Sequence, residues 1–243
     1  MNGDAVKELA QRFRAPMLID GNLAIPSDWK VIDPTTIPAP SPVALSVYTL
    51  GALRDYLKAN RDALALDSLT VHVVSPQIVT LEGMLHDIDR SRECYLKATA
   101  LTLMDGVLDK FMSIEQFVIA LQSRFADNED RKKVLALLSN VKHEAVKTAA
   151  DDGISQVVTT KAGVAFIAES VVPNPVVLMP YRTFREVRQP SSPFVLRVQA
   201  GPQGGLPTVG LFEADGGAWR LDAVAAIRGW LAAELPEGIS ILA

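Results

Sequence analysis

The sequence predicts an α+β protein in which mixed or antiparallel sheets carry three main helices. Short runs of β-branched and aromatic residues, bounded by Gly, Pro, Asn and Ser, fill residues 153–199, and this pattern is typical of strands joined by turns. Residues 43–103 predict the order strand, helix, strand, strand, strand, which indicates one mixed sheet with a helix on one face. Apolar residues at helical spacing after residues 113, 130 and 217 predict the helices that complete the fold.

Composition limits the class of protein before any motif is considered. The chain has 243 residues, of which 49% are hydrophobic, so it can bury one large core or two smaller ones. A formal net charge of −4 argues against a protein that coats DNA through its overall field, although it allows a local basic patch. The single cysteine, Cys94, cannot form an intrachain disulfide and favours a reducing cytoplasm. The first residues lack a secretory signal, and no apolar window of about 18 residues is free of charges and prolines, so we expect no membrane span.

The N-terminal part of the chain predicts a short helix followed by an extended arm. Residues 4–14 place apolar side chains at helical spacing. Residues 16–42 contain six of the fifteen prolines, each of which lacks an amide donor and favours extended backbone before it. The apolar side chains of this arm indicate that it packs on its own domain or on another protomer. We therefore divide the chain into this N-terminal helix and arm (1–42), an α+β half (43–150) and a β-rich half with a C-terminal helix (151–243).

The α+β half begins with clear local signals. Val43–Thr49 predicts a strand, and Thr49 is also the expected N-cap of a helix that begins at Leu50. Three further strands are predicted at residues 69–74, 78–85 and 94–103. Together they predict the mixed sheet.

Two helices are expected to follow these strands. Ser113 and Gln116 form a capping box, in which the serine oxygen accepts an amide hydrogen of the first turn. The second helix begins near Asp130 and, from the spacing of its apolar residues, continues through Ala149. The Asp-Asp-Gly sequence at 151–153 is expected to end it, as such sequences commonly end helices.

The C-terminal part predicts one more helix and a last strand. The helix starts after the Asp-Gly-Gly sequence at 215–217 and places five apolar residues on one side: Leu221, Val224, Ile227, Leu231 and Leu235. Residues 239–242 predict a strand, which needs a sheet edge to pair with. The terminal strand and the Pro-rich arm both favour a homo-oligomer, formed by edge pairing or arm exchange.

An arginine-rich segment, predicted as a β-hairpin over residues 181–197, is the candidate binding site. Strand alternation would place Arg182, Phe184 and Arg188 on one face, and Tyr181 and Arg185 on the other. Cations beside an aromatic ring can hold a phosphate or stack a base. The alternative is an exposed strand face in which a carboxylate pairs with an arginine and the phenylalanine is covered by the last helix. The predicted ligand-binding residues are Tyr181, Arg182, Phe184, Arg185, Arg188 and Arg197.

Other chemistry has little support in the sequence. The three histidines lack metal-ligand spacing, and the adjacent carboxylates Asp151 and Asp152 have no identifiable third partner. The glycines at 216 and 217 precede a helix, but no Gly-Lys-Ser/Thr follows, so this is not a P-loop. No nucleophile or acid–base pair is recognisable. We therefore expect no catalytic residue, no metal, no cofactor and no enzymatic activity.

Several segments also resemble a known group of proteins. They are residues 111–117, 151–156, 173–175, 180–187 and 211–219. Over roughly residues 45–235 the chain resembles uncharacterised proteins of tailed bacteriophages and prophages, similar in general plan to the YfdQ-like phage family. The resemblance implies a gene expressed early, among replication-associated genes, and it implies no particular chemistry.

The leading expectation is thus a bacteriophage-encoded accessory protein, oligomeric and non-enzymatic, in the cytoplasm of the host. It would bind a phosphate-bearing ligand, either single-stranded nucleic acid or a nucleotide. Two alternatives remain open. One is an inhibitor or remodeller of a host protein or defence complex, favoured by the acidic balance and the apolar arm. The other is a self-assembling structural protein.

Overall fold

The computed structural model describes residues 42–86, 90–141, 145–151, 156–162, 166–199 and 206–243, with short pieces before residue 25. The chain divides into two compact units: residues 1–41 with 86–91, and residues 42–85 with 92–243. In the first unit, strand β1 (Met17–Ile19) pairs antiparallel with β2 (Asn22–Ala24). The helix predicted over 4–14 and most of the arm predicted over 16–42 lie outside the described residues.

The larger unit contains the predicted mixed sheet. It has five strands in the order β14-β4-β5-β6-β3. Their bounds are β3 (Leu45–Val47), β4 (Thr70–Ser75), β5 (Ile78–Leu85), β6 (Arg92–Thr99) and β14 (Ser240–Leu242). The central strands β4, β5 and β6 pair antiparallel, whereas β3 runs parallel to β6 and β14 parallel to β4. The third predicted strand, 94–103, is shorter than expected and ends at Thr99.

Two helices cover one face of this sheet and form the first core. Helix α1 (Leu50–Ala59) begins where predicted, and the Thr49 hydroxyl accepts the Ala52 amide hydrogen at 3.1 Å. A 3-10 turn (Leu66–Ser68) leads into β4. The buried residues of α1 belong to the same core as alternate residues of the strands and residues of the last helix. The residues of this first core include Leu50, Leu53, Leu57, Val71, Leu81, Leu96, Ile227 and Leu231. Burial of each such side chain contributes about 1.5–3 kcal/mol.

A second sheet carries its own pair of helices. Its antiparallel order is β11-β12-β13-β7, with bounds β7 (Phe111–Ser113), β11 (Val176–Leu178), β12 (Ser192–Gln199) and β13 (Thr208–Glu213). Helices α2 (Ile114–Arg124) and α3 (Glu129–Val141) pack on it. The Ser113 oxygen accepts the Gln116 amide hydrogen at 3.3 Å, as the capping box predicts. Phe117, Leu121, Phe194 and Leu211 are among the fully buried residues of this second core.

The predicted helix through Ala149 is wrong beyond Val141. Residues 145–151 form strand β8 (Ala145–Asp151), the edge of a third sheet of order β10-β9-β8 with β9 (Gln156–Ala162) and β10 (Phe166–Val172). Val146 lies opposite Thr160, and Thr148 opposite Val158. The apolar spacing in this stretch fits either a helix or a strand. The strand form is favoured because its backbone can pair with β9, which is rich in β-branched residues.

Each large core is built from both halves of the chain. Helices α2 and α3, from the half predicted as 43–150, pack on the second sheet. All strands of that sheet except β7 come from residues 151–243. In return, the C-terminal residues contribute a helix and β14 to the first sheet. The boundary expected at 150 lies within β8.

Most of the apolar stripe predicted for the C-terminal helix α4 (Trp219–Glu234) packs on the first core: Ile227 and Leu231 are fully buried, and Val224 and Leu235 are partly buried against it. The buried residues of α4 are Trp219, Ala223, Ile227 and Leu231, four apart along the helix. Leu221 is 76% exposed, so its predicted place on the buried side is wrong. The four α-helices of the larger unit include none long and apolar enough to cross a membrane, a finding that covers the described residues.

Candidate functional site

The arginine-rich segment does not form the predicted β-hairpin. Residues 181–191 follow an irregular path, and only β12, from Ser192, is a strand. The buried side chain of Gln189 explains the path. Its oxygen accepts the amide hydrogens of Arg182 and Thr183 at 3.1 and 3.3 Å, and its nitrogen donates to the Phe184 carbonyl at 2.9 Å. Backbone groups that a hairpin would pair across strands are paired with this one amide instead.

This segment, which we call the clasp (residues 180–191), joins the two cores. At one end, the Tyr181 amide donates to the Arg124 carbonyl of α2 at 2.9 Å. Further along, the Glu186 carboxylate accepts the Gly51 amide hydrogen at 3.1 Å and so caps the first turn of α1. Several polar groups of the clasp therefore form hydrogen bonds that stabilise the fold.

Arg182 is an internal cation of the clasp. Its side chain is 4% exposed, and its guanidinium donates to the Glu213 carboxylate and to the Ser192 hydroxyl. Its carbon atom Cζ lies 3.9 Å from the centre of the Trp219 ring. Burial lowers the pKa of Arg182 to about 10, although Glu213 and Asp215 oppose the shift, so the group is still charged at neutral pH.

Asp215 extends this network to the start of α4. Its carboxylate accepts a hydrogen bond from the Ser192 hydroxyl at 2.7 Å and from the amides of Gly217 and Trp219 at 2.9 and 3.3 Å. Burial alone raises the pKa of Asp215, but these hydrogen bonds and the charge of Arg182 outweigh it and lower the pKa overall. Gly216 and Gly217, with φ of 61° and 84°, form the turn. The Asp-Gly-Gly sequence is thus a helix cap joined to a buried cation.

Two of the predicted ligand-binding residues are therefore unavailable to a ligand. Arg182 is neutralised within the molecule, and Phe184 is 1% exposed in the first core, to which Ile227 and Leu231 of α4 also belong. The physical reason is that the clasp turns inward at Gln189, which buries residues that strand alternation would have exposed. Arg197, in β12, is half-buried and has interaction partners, so it is not a free cation.

Of the remaining predicted residues, Arg185 and Arg188 are exposed and Tyr181 is half-buried. The Cζ atom of Arg185 lies 3.5 Å from the centre of the Tyr181 ring. Arg188 follows three residues later. Among the described residues, neither arginine forms an ion pair with a carboxylate. Tyr181, Arg185 and Arg188 form what we call the outer surface of the clasp.

Sequence reasoning missed a cleft beside α2. It has a volume of about 380 Å³ and is lined by residues of the 105–112 segment and of α2. Its cations, Lys110 and Arg124, are fourteen positions apart and are brought together by the fold. The Asp-Gly sequence at 105–106, a turn signal shortly before the capping box, was the available clue to an irregular segment here.

No group of three or more His, Cys, Asp or Glu side chains suited to a metal occurs in the part of the chain that the structure describes. In comparisons with protein-family models, curated proteins and solved structures, none matches this chain.

Proposed function

We propose that this chain is a non-enzymatic accessory protein that binds a phosphate-bearing ligand, single-stranded nucleic acid or a nucleotide, on the outer surface of the clasp. The observation that carries the proposal is the exposed Arg185 guanidinium held over the Tyr181 ring at 3.5 Å without a neutralising carboxylate. The resemblance to early bacteriophage proteins supports a role in the host cytoplasm during infection or lysogeny.

The stacked pair is suited to an anion because the ring restricts the guanidinium without cancelling its charge. An aromatic face contributes about 0.5–1 kcal/mol to an exposed cation and reduces its rotamer freedom. The edge N–H groups of Arg185 remain available for phosphate oxygens, which they can contact in pairs. Its outer face can stack a base, as arginine planes do in single-stranded RNA complexes.

Arg188 supplies a second phosphate contact in this proposal. It lies three residues from Arg185 and is exposed on the same segment. The acidic net charge of the protein adds no long-range attraction, so binding depends on these local contacts. For a single-stranded ligand we expect a slope of log affinity against log salt of about −0.7 for each contacted phosphate, hence about −1.4 for two.

A direct test is fluorescence anisotropy with a labelled single-stranded oligonucleotide, and separately with a labelled adenine nucleotide, at low and high salt. Arg185→Ala/Arg188→Ala should weaken binding by roughly tenfold or more and flatten the salt dependence. Arg61→Ala/Arg228→Ala removes two exposed arginines elsewhere and should leave affinity within about twofold of wild type.

The two arms distinguish the ligands. Preference for the oligonucleotide identifies single-stranded nucleic acid, and equal or stronger binding of the nucleotide identifies a mononucleotide. The proposal is wrong if the wild-type protein binds neither probe at low salt, or if the two double variants weaken binding by the same factor.

The proposal includes a homo-oligomer, supported now by the Pro-rich arm alone. The terminal strand that needed a sheet edge finds it within the chain, since Ile241 of β14 pairs with Val71 of β4. Light scattering coupled to size-exclusion chromatography measures the subunit number directly, and a monomeric mass over the working concentration range would remove this part of the proposal.

A further inference from the structure

The cleft beside α2 combines cationic groups with an apolar wall. Its lining comes from two elements, the segment before α2 and one side of α2 itself. The residues that line it are Asp105, Gly106, Val107, Lys110, Met112, Gln116, Ile119, Ala120 and Arg124. Its volume of about 380 Å³ lies within the range of small-molecule pockets. Neither Tyr181 nor Arg185 lines it. The cleft adjoins the outer surface of the clasp, because the Tyr181 amide donates to the Arg124 carbonyl, but it is lined by different residues.

The charge of the lining is opposite in sign to that of the whole protein. Lys110 and Arg124 contribute two positive charges, and Asp105 contributes the one negative charge, so the lining carries +1 where the chain carries −4. Within the described ranges, neither cation forms an ion pair with a carboxylate. The Arg124 guanidinium donates to the backbone carbonyl of Asp105 at 3.2 Å, which holds it at the cleft with its charge uncompensated.

Apolar groups make up much of the remaining wall. Val107 and Ala120 are buried, and Met112 is half-buried beside them. Ile119 is 55% exposed, although an isoleucine is ordinarily buried. Methionine adapts to ligands of different shape because its side chain is unbranched. The wall can therefore cover the apolar body of a ligand whose charged end contacts the cations.

Gly106 leaves room for the Lys110 ammonium. The backbone at Gly106 has a φ of 70°, which favours glycine. A Cβ atom built there would lie 2.7 Å from the Lys110 Nζ atom, at the far end of that flexible side chain, so the ammonium would have to shift to admit it. The glycine that the turn requires therefore also leaves room for this cation beside the turn.

From these observations we infer that the cleft binds a small organic anion with an apolar, preferably aromatic, body: a carboxylate, sulfonate or phosphate monoester. The anion contacts Lys110 and Arg124, and the body covers Ile119, Met112 and Ala120. Binding at this cleft goes beyond the proposed function, and its ligand need not be a nucleotide.

A matched pair of fluorescent probes tests the inference. The anionic probe is 1-anilinonaphthalene-8-sulfonate, and the neutral one is N-phenyl-1-naphthylamine, which has the same rings without the sulfonate. We expect one sulfonate probe bound per folded chain. Lys110→Met should weaken its binding by about fivefold or more, while leaving the neutral probe within about twofold. Lys58→Met, an exposed lysine of α1, is the matched control and should change neither.

A second variant separates binding from folding. Ile119→Glu replaces an exposed residue of the wall, so it leaves the buried core intact while placing a negative charge in the cleft. It should abolish binding of the sulfonate probe and weaken that of the neutral probe, with unchanged near-UV circular dichroism. Arg185→Ala/Arg188→Ala should leave both probes unaffected, so failure of this inference and failure of the proposed function are distinguishable.

The inference is overturned by any of three results: wild type that does not bind the sulfonate probe, binding of several probes per chain, or Lys110→Met affinities that stay unchanged or fall equally for both probes.

Discussion

Arg182 and Arg185 have the same side chain and are separated by two residues, yet the structure uses their charges in different ways. Arg182 is buried, paired with Glu213 and Ser192 and covered by Trp219. Arg185 lies outside, stacked on Tyr181. Residue type alone therefore does not separate a structural cation from a binding one. Here the inward turn around Gln189 separates them, because it decides which side chains reach the core.

The largest expected effect of breaking this arrangement is on stability at Arg182. Arg182→Ala leaves the Glu213 and Asp215 carboxylates facing an unfilled space without their cation, and we expect a loss of about 3–5 kcal/mol in the free energy of unfolding. Urea denaturation followed by circular dichroism measures it. The double variant Arg182→Met/Glu213→Gln also removes one of the two unpaired charges and should recover part of the loss. A loss below about 1 kcal/mol for the single variant would show that Arg182 is not an internal cation.

The next effect concerns the side chain that turns the clasp. Gln189→Ala removes an acceptor shared by two amides and a donor to the Phe184 carbonyl. Buried backbone groups would then lack partners, and we expect a destabilisation of about 2–3 kcal/mol. Hydrogen exchange at Arg182 and Thr183 is the specific measurement. Their amides should lose protection in the variant, whereas that of Ala52, which Thr49 holds, should not. Equal loss at all three would indicate general destabilisation rather than a local turn.

A smaller effect is a pH dependence at the cap of α4. The folded-state pKa of Asp215 is lowered, so its stabilising contribution is present above the pKa of the unfolded chain and is lost as the pH falls through the folded value. We expect Asp215→Asn to cost about 1–2 kcal/mol near neutral pH. As the pH falls below about 4, the unfolding free energy of Asp215→Asn should decrease less steeply than that of wild type. Parallel curves for the two proteins across this acid range would contradict the assignment.

The smallest expected effect on stability is at Arg185. Arg185→Ala removes one exposed stacking contact, which is worth about 0.5–1 kcal/mol. Its thermal unfolding curve should nearly overlay that of wild type, while its affinity for oligonucleotide falls. A variant that loses as much stability as Arg182→Ala would remove the distinction between the two arginines.

The sequence predicted the local parts of the fold well. The helix caps at Thr49 and Ser113 and the strand at 78–85 depend on neighbouring residues, and the structure contains all three. The strand at 145–151 was mistaken for helix, because its apolar spacing fits both and only pairing with β9 decides between them.

The site was harder to predict than the fold. The arginines and rings were visible in the sequence, but their burial depends on hydrogen bonds of Gln189, whose partners are backbone atoms and leave no residue-type signature. The cleft was not recognised because Lys110 and Arg124 are fourteen positions apart in the sequence and line one cleft only in the folded chain.

The first core combines early and late parts of the chain, and this has a consequence for its synthesis. The first sheet has its central strands before residue 100, but Ile227, Leu231 and β14 join them from beyond residue 219. On the ribosome, where chains emerge N-terminus first, the outer edge of β4 and the part of the first core that Ile227 and Leu231 cover stay exposed until these last elements appear. Nascent chains halted before residue 219 should therefore be preferred clients of holding chaperones, and release of the remaining residues should end that dependence.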